Sequence, residues 1–204
     1  MLVRFEKDLE NKRVVLGSQS PRRKELLGGI FKKFEIIPSQ FDESTIKPED
    51  YPNPSDFVQV QSRKKCEELY SRVSDADIVI TADTIVTIDG LILGKPGTNE
   101  KAYEMISMLS GRGHEVMTGV YIAFPKLNKF VSFVERTVVY FAKLPEEAIL
   151  SYANSKDPLD KAGAYGIQSG AMSLIEKIEG DYFNVVGLPV HRLSVEIYKV
   201  LSDN

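Results

Sequence analysis

Side chains of two chemical kinds occur along this 204-residue sequence, and together they suit the handling of a polyphosphate. Hydroxyl and cationic groups able to contact phosphate oxygens are Ser18, Arg22, Arg23, Lys65 and Lys95. Two carboxylates, Glu43 and Asp83, can hold a hard divalent cation or position a water molecule. Mg²⁺ commonly binds through one or two carboxylates plus substrate phosphates, so this inventory suits it. Phosphate cleavage requires charge neutralisation and an aligned nucleophile, with little covalent work by the protein.

The segment from Val14 to Arg23 has the pattern of a strand, a turn and the start of a helix. Ser20 is a natural N-cap, and Pro21 suits the first helical position because its missing N–H would have no partner there. Arg22 and Arg23 then fall in the first turn, where the helix dipole already places partial positive charge. A bound polyanion would make this arrangement favourable. The alternative is a solvated arginine pair, and this segment alone leaves both interpretations open.

The other candidates also have structural alternatives. Asp83 follows an Ile-Val-Ile strand, and a carboxylate emerging from a buried strand is costly unless it has a partner, so we favour a functional role. Glu43 lies in a polar loop with several prolines, which is the best candidate for a lid, but taken alone it is typical of a solvated residue. Lys95 precedes a proline and is either a phosphate ligand or an exposed hairpin residue.

Composition excludes several classes of protein. The net charge of −3 argues against a general nucleic-acid surface, so any anion site must be local. The single cysteine, Cys66, rules out an intramolecular disulfide and fits a reducing compartment, and the histidines, His114 and His191, have no cysteine cluster to complete a zinc site. No apolar run approaches the ~20 residues that span a bilayer, and the charged N-terminus is unlike a signal peptide. We therefore expect a cytoplasmic protein with no membrane or nucleic-acid partner.

Local patterns predict alternating strands and helices, and therefore an α/β fold with a mixed sheet. The predicted strands are 13–16, 34–37, 77–80, 85–88, 91–93, 114–124, 130–142 and 174–178, with a hairpin turn at Asp89-Gly90. The predicted helices are 21–28, 55–73 with Ser55 as N-cap, 98–109 with Thr98 as N-cap, 145–154 and 187–201. No repeats or linkers are present, so we expect an N-terminal extension over residues 1–12 and a single domain over 13–204.

Several motifs occur together in a characteristic order. They are Ser18–Leu27, Ala82–Val86, Gly94–Pro96, Thr118–Val120, Asp160–Gln168 and Asn184–Pro189. With these motifs the chain resembles the Maf family of nucleoside triphosphate pyrophosphatases from about Arg13 to the C-terminal helix. Each motif is weak by itself, whereas the ordered set is highly specific.

The resemblance implies a fold related to inosine triphosphate pyrophosphatases, with an elongated mixed β-sheet flanked by helices and two lobes around a central cleft. It implies hydrolysis of a nucleoside triphosphate to the monophosphate and pyrophosphate, assisted by Mg²⁺ or Mn²⁺, in a likeness to the subgroup acting on dTTP and UTP. It also implies a homodimer and a house-cleaning role against non-standard nucleotides. The roles it implies are phosphate contacts for Ser18, Arg22, Arg23 and Lys95, metal or water activation for Glu43 and Asp83, and a substrate or metal-shell contact for Gln168.

Some alternatives stay open. The family usually has a Lys-Ala pair on the second helix, whereas Arg63-Lys64-Lys65-Cys66 leaves the register ambiguous, so Lys64 rivals our choice of Lys65. We take Asp83 as the first choice for the general base, although a free aspartate has a pKa near 3.9 and needs tuning or metal help. The alternative functions are a nucleotide-binding regulator of cell division with incidental catalysis, and a 7-methyl-GTP pyrophosphatase. RNA binding through the basic run is disfavoured by the acidic overall charge.

Overall fold

The computed structural model describes residue 2 and residues 9–203 of the chain. Within that part the strands are β1 Val14–Leu16, β2 Glu35–Ile36, β3 Ile78–Ile88, β4 Leu91–Leu93, β5 Gly113–Phe124, β6 Lys129–Phe141 and β7 Ile175–Glu179. The α-helices are α1 Pro21–Gly28, α2 Pro54–Tyr70, α3 Asn99–Leu109, α4 Glu146–Ala153, α5 Tyr182–Val186 and α6 Val190–Ser202. Residue 1 and residues 3–8 of the predicted N-terminal extension lie outside the described residues.

The strands form one seven-stranded mixed sheet, which confirms the predicted α/β class. Its order is β2-β1-β3-β5-β6-β7, and β4 pairs with β3 as the second strand of a hairpin. β1 runs parallel to both β2 and β3, whereas the β3–β4 and β6–β7 pairs are antiparallel. In the parallel register Leu16 pairs with Ile80, so the turn after β1 lies beside the part of β3 that leads to Asp83.

The chain forms two compact units, and the boundaries between them fall within β3, β5 and β6 and between α5 and α6. The first unit contains the described residues up to Asp83, then Thr118–Glu135 and the residues from Gly187 onward. The second unit contains Thr84–Met117 and Arg136–Val186. Each unit has a hydrophobic core of its own, because the buried apolar clusters of the two units share no residue.

Local capping signals place most of the helix starts. The Ser20 hydroxyl accepts a hydrogen bond from the main-chain N–H of Arg23 at 3.4 Å, which confirms the predicted N-cap of α1. The prediction that Ser55 is the N-cap of α2 is wrong. The cap is Asn53, whose side chain accepts a bond from the Ser55 N–H at 3.1 Å, because Pro54 occupies the first helical position.

Close backbone contacts hold α2 against the sheet. A Cβ on Gly119 of β5 would lie 2.5 Å from the main-chain oxygen of Val58, so only glycine lets this strand approach the helix so closely. A Cβ on Gly17 would lie 2.6 Å from the Thr81 side chain and 2.7 Å from that of Leu69. These contacts fix the distance of α2 from β1, β3 and β5 within the first unit.

Other boundaries differ from the predicted ones. β3 runs without interruption through Ile78–Ile88, because residues 81–84 continue the strand instead of ending it. The closing helix α6 begins at Val190 after Pro189, and the short helix α5 before it was not predicted. None of the helices in the described residues combines the length and the apolar composition needed to cross a membrane.

Candidate active site

The turn between β1 and α1 carries a connected set of polar groups. The Ser18 Oγ accepts hydrogen bonds from the main-chain N–H of Ser20 at 3.2 Å and from Nη1 of Arg23 at 3.3 Å. Nε of Arg23 donates to the main-chain oxygen of Gly187 at 2.9 Å. Since the guanidinium is held through both Nε and Nη1, Arg23 has a defined position at the start of α1. Arg22 is half-buried in the same first turn.

Lys65 links the two candidate carboxylates. Its Nζ lies 2.7 Å from Oδ1 of Asp83 and 3.0 Å from Oε2 of Glu43. Only 8% of Lys65 is exposed, whereas its neighbour Lys64 points outward and pairs with Glu67 at 2.8 Å. The structure therefore brings Lys65, and not Lys64, to the carboxylates. The cost of burying this ammonium is offset because it is paired with two anions.

The two carboxylates differ in their surroundings. Asp83 extends from β3 and its side chain is 15% exposed, so its pairing with Lys65 is largely shielded from solvent. Glu43 opens a 3₁₀ turn over Glu43–Thr45, and its side chain is 58% exposed. One carboxylate is therefore fixed on the sheet, and the other is carried by a loop.

The loop that carries Glu43 is attached to α2 at several points. Glu68 Oε2 accepts hydrogen bonds from the Ser39 hydroxyl at 2.8 Å and from the main-chain N–H of Gln40 at 2.7 Å. Arg72 donates to the main-chain oxygen of Pro38 at 2.9 Å. The proline-containing loop, for which the sequence predicts either an ordered or a mobile segment, thus runs along the same helix that supplies Lys65.

Electrostatics connect the arginine turn with the carboxylates. Burial lowers the pKa of the Arg23 guanidinium from its usual value, while the negative charge of Asp83 raises it, the positive charge of Arg22 lowers it and Glu43 raises it. Arg23 therefore experiences both carboxylates in its local field. The cation–carboxylate cluster, made of Arg22, Arg23, Glu43, Lys65 and Asp83, carries three positive groups and two negative ones within the first unit.

The cluster fits a divalent cation only in part. Among the described residues, no three His, Cys, Asp or Glu side chains gather as a complete metal site. Mg²⁺ does not require one, because it usually keeps several waters and takes one or two carboxylates together with substrate phosphates. Glu43 and Asp83, whose carboxylates share one ammonium, supply that number of protein ligands.

The remaining two predicted site residues, Lys95 and Gln168, belong to the second unit and are both exposed. Their loops are joined by main-chain hydrogen bonds. The N–H of Gly163 donates to the oxygen of Gly94 at 3.1 Å, and the N–H of Gly97 donates to that of Leu159 at 3.4 Å. The structure thus brings the segment carrying Lys95 and the segment carrying Gln168 together.

A half-buried carboxylate shapes the loop of Gln168. Asp157 Oδ2 accepts hydrogen bonds from the Tyr152 hydroxyl and the Ser169 hydroxyl, both at 2.6 Å, and Oδ1 lies 3.1 Å from Lys161 Nζ. Burial opposes ionisation, but the bonds from Ser169, Tyr152 and Lys161 hold the pKa of Asp157 below its usual value. The loop is therefore closed around one ionised side chain.

Two structural features were missed by reasoning from the sequence. One is the Asp157 network, whose partners lie on both sides of the motif over Asp160–Gln168. The other is Gln61, which is 4% exposed and lies one helical turn before Lys65. The sequence pattern that could have identified Gln61 is a polar residue on the predicted buried face of α2, four residues before the candidate lysine.

Comparison with models of known protein families identifies the family of this chain. The family described as Maf-like protein matches residues 13–200. The chain belongs to the Maf-like family. The matched range covers every residue of the cation–carboxylate cluster together with Lys95 and Gln168.

Curated Maf-like relatives resemble the chain along nearly its whole length. A dTTP/UTP pyrophosphatase of Carboxydothermus hydrogenoformans is 47% identical over 186 residues, which are 91% of this chain and 97% of the relative. A dTTP/UTP pyrophosphatase of Bacillus cereus (strain ATCC 10987 / NRS 248) is 46% identical over 204 residues, 100% of this chain and 98% of the relative. Among solved structures, the Staphylococcus aureus Ham1 protein matches 65% of this chain and 73% of its own at 14% identity, with a TM-score of 0.46.

Proposed function

We propose that this Maf-like chain hydrolyses dTTP and UTP to the nucleoside monophosphate and pyrophosphate. The relatives at 46–47% identity carry the name dTTP/UTP pyrophosphatase, which supports this activity. The single structural observation that carries the proposal is the ammonium of Lys65 between Glu43 and Asp83, in the unit that also holds Arg22 and Arg23. The unit thus combines cationic groups that can bind phosphate with carboxylates that can position a water molecule or bind a metal ion.

In this proposal the triphosphate binds at the turn over Ser18–Arg23. The Arg22 and Arg23 guanidinium groups, which lie in the first turn of α1 where the helix dipole is positive, offer donors to phosphate oxygens. Lys65 contributes a third positive charge. The substrate contacts proposed for Lys95 and Gln168 rest on the family resemblance alone. Charge neutralisation by these groups lowers the repulsion that an incoming water oxygen would meet.

Asp83 is proposed as the general base. A water oxygen forms the new bond to the α-phosphorus, the bond between that phosphorus and the bridging oxygen breaks, and pyrophosphate leaves with the bond electrons. The water proton passes to the Asp83 carboxylate. Because Asp83 is 2.7 Å from the Lys65 ammonium, binding of phosphate oxygens to Lys65 would free the carboxylate for this task.

A divalent cation, Mg²⁺ or Mn²⁺, is part of the proposal. When bound, it would neutralise phosphate charge and polarise the phosphoryl group. Glu43 and Asp83 would hold it, since hard cations take carboxylate oxygens and the two side chains converge on one point at Lys65. The ammonium of Lys65 would also offset the repulsion between the two carboxylates.

The test is pyrophosphate release from a panel of triphosphates, comprising dTTP, UTP, CTP, GTP, 7-methyl-GTP and modified pyrimidines. Each is assayed with Mg²⁺, with Mn²⁺ and with EDTA. We expect release from dTTP and UTP that requires the metal. Release from 7-methyl-GTP alone would replace the substrate assignment, and nucleotide binding without turnover on any member would favour a regulator.

A homodimer in the cytoplasm completes the proposal. The dimer is implied by the family resemblance, and the single thiol of Cys66, which is 1% exposed, suits a reducing compartment. Sedimentation equilibrium of the purified chain, with and without dTTP, should give twice the monomer mass of 22.9 kDa. A monomeric mass at micromolar concentration would contradict the dimer.

A further inference from the structure

Gln61 has an unusual position for a polar side chain. It lies on α2, 4% exposed, and points to the same side as Lys65 because the two are four residues apart. Its Nε2 donates a hydrogen bond to the main-chain oxygen of Glu43 at 3.3 Å. Its Oε1 is buried and has no hydrogen-bond partner among residue 2 and residues 9–203. A buried acceptor without a partner destabilises a fold, so an apolar side chain would serve a purely structural role better.

The bond from Gln61 complements the one from Lys65. Lys65 holds the carboxylate of Glu43, whereas Gln61 holds its main chain, and both side chains come from α2. The same Glu43 oxygen also accepts the N–H of Ile46 at 3.3 Å, which closes the 3₁₀ turn. Because the Glu43 side chain is 58% exposed, little packing is available to orient it. Main-chain anchoring supplies the orientation that packing does not.

We infer that Gln61 is a positioning residue that anchors the main chain of Glu43 and thereby sets the geometry of its carboxylate for triphosphate hydrolysis. The inference rests on the role proposed above for Glu43. It gives a function to a polar side chain that lies on the buried face of α2. The unpaired Oε1 lowers the stability of the fold, whereas the Nε2 bond holds the main chain of Glu43 in place.

The test uses Gln61→Met, which keeps an unbranched side chain of similar volume and removes both polar atoms. The melting temperature should stay equal or rise, because the orphan acceptor is gone. The kcat for dTTP should fall about tenfold with a smaller change in KM, since the lost bond orients a reacting group and does not contact the base. Amide exchange at Thr45 and Ile46, measured without metal or nucleotide, should become faster.

Gln59→Met is the matched control. Gln59 lies on the same helix, and its Nε2 donates to the Ser132 hydroxyl at 3.2 Å, away from the Glu43 loop. This variant should keep the kcat and the exchange rates of the wild-type chain. Equal losses of kcat in Gln59→Met and Gln61→Met would overturn the inference, as would a Gln61→Met protein that melts much lower and exchanges faster throughout the first unit.

A double-mutant cycle separates this inference from the proposed function. In a Glu43→Gln background the anchored carboxylate is absent, so adding Gln61→Met should cause no further loss of kcat. A full additional tenfold loss would refute action through Glu43. Wild-type activity in Glu43→Gln alone would instead refute the catalytic role proposed for Glu43, and unchanged exchange at Thr45 and Ile46 in Gln61→Met would refute the anchor itself.

Discussion

His114 provides a quantitative test of the core of the second unit. It lies on β5, is 2% exposed, and its Nε2 is 2.7 Å from the Tyr165 hydroxyl. The rings of Phe141 and Tyr165 pack edge-on against it with centroids 5.2 and 5.3 Å away. Its buried Nδ1 has no hydrogen-bond partner in the part of the chain that the structure describes. Burial lowers the pKa of His114 to about 4, because a charged imidazole would be placed among apolar rings.

The sign of the pH effect follows from proton uptake. In the unfolded chain a histidine takes up its proton as the pH falls through about 6.5, whereas folded His114 stays neutral down to a pH of about 4. Between these values the unfolded state binds more protons, so the free energy of unfolding falls with falling pH. The shift corresponds to about 3 kcal/mol lost across the window.

The assay is urea unfolding followed by far-ultraviolet circular dichroism between pH 4 and 7.5, on the wild-type chain and on His114→Gln. Since glutamine does not titrate, the free energy difference between the two proteins should shift by about 3 kcal/mol over this range. His191, the other histidine of the sequence, is exposed, and His191→Gln is the matched control. Parallel pH profiles for wild type and His114→Gln would refute the reasoning, even if the variant were less stable at every pH.

Three further predictions concern the first unit. Asp83→Asn should keep the wild-type melting temperature within a few degrees yet lose at least about a hundredfold in kcat, and unimpaired turnover would remove it from the reaction. Lys65→Met should lower kcat/KM for dTTP about a hundredfold, because two carboxylates lose their shared ammonium. The control Lys64→Met should stay within about twofold of the wild-type value. Similar losses in both variants would contradict the assignment of Lys65, and not Lys64, to the carboxylates. Gly119→Ala should lower the free energy of unfolding by about 2 kcal/mol in urea titrations, since its Cβ would meet main-chain atoms of α2, and an unchanged value would show that the helix can move away.

Local signals made much of the fold predictable. Asp89 and Gly90 both adopt positive φ, 51° and 79°, as the two-residue hairpin turn requires. Thr98 caps α3 by accepting the N–H of Lys101 at 3.3 Å, as predicted. These features depend on a few neighbouring residues, so the sequence contains the information in readable form. The N-cap of α2 was misassigned because Asn53 and Ser55 are both good caps and Pro54 decides between them.

The site was harder to predict in detail. The sequence gives three basic residues in a row at 63–65, and only the phase of α2 against the sheet determines that Lys65 faces inward. The role of Gln61 could not be predicted because its partner is a main-chain oxygen 18 residues away. Every residue has a main-chain carbonyl group, so the sequence does not show which one is the acceptor. The motifs thus indicated the chemistry, whereas the supporting contacts depend on tertiary packing.

The bond between Arg23 and the oxygen of Gly187 has a consequence for synthesis on the ribosome. It joins residues 164 positions apart, so at about 5–20 residues per second roughly ten to thirty seconds pass between making the arginine and making its acceptor. During that interval the nascent chain already carries both arginines of α1 but lacks the carbonyl that orients one of them. A product of interrupted translation that stops before residue 187 therefore lacks the acceptor that orients Arg23, and the triphosphate site proposed at this turn would be completed only as the final helix is made.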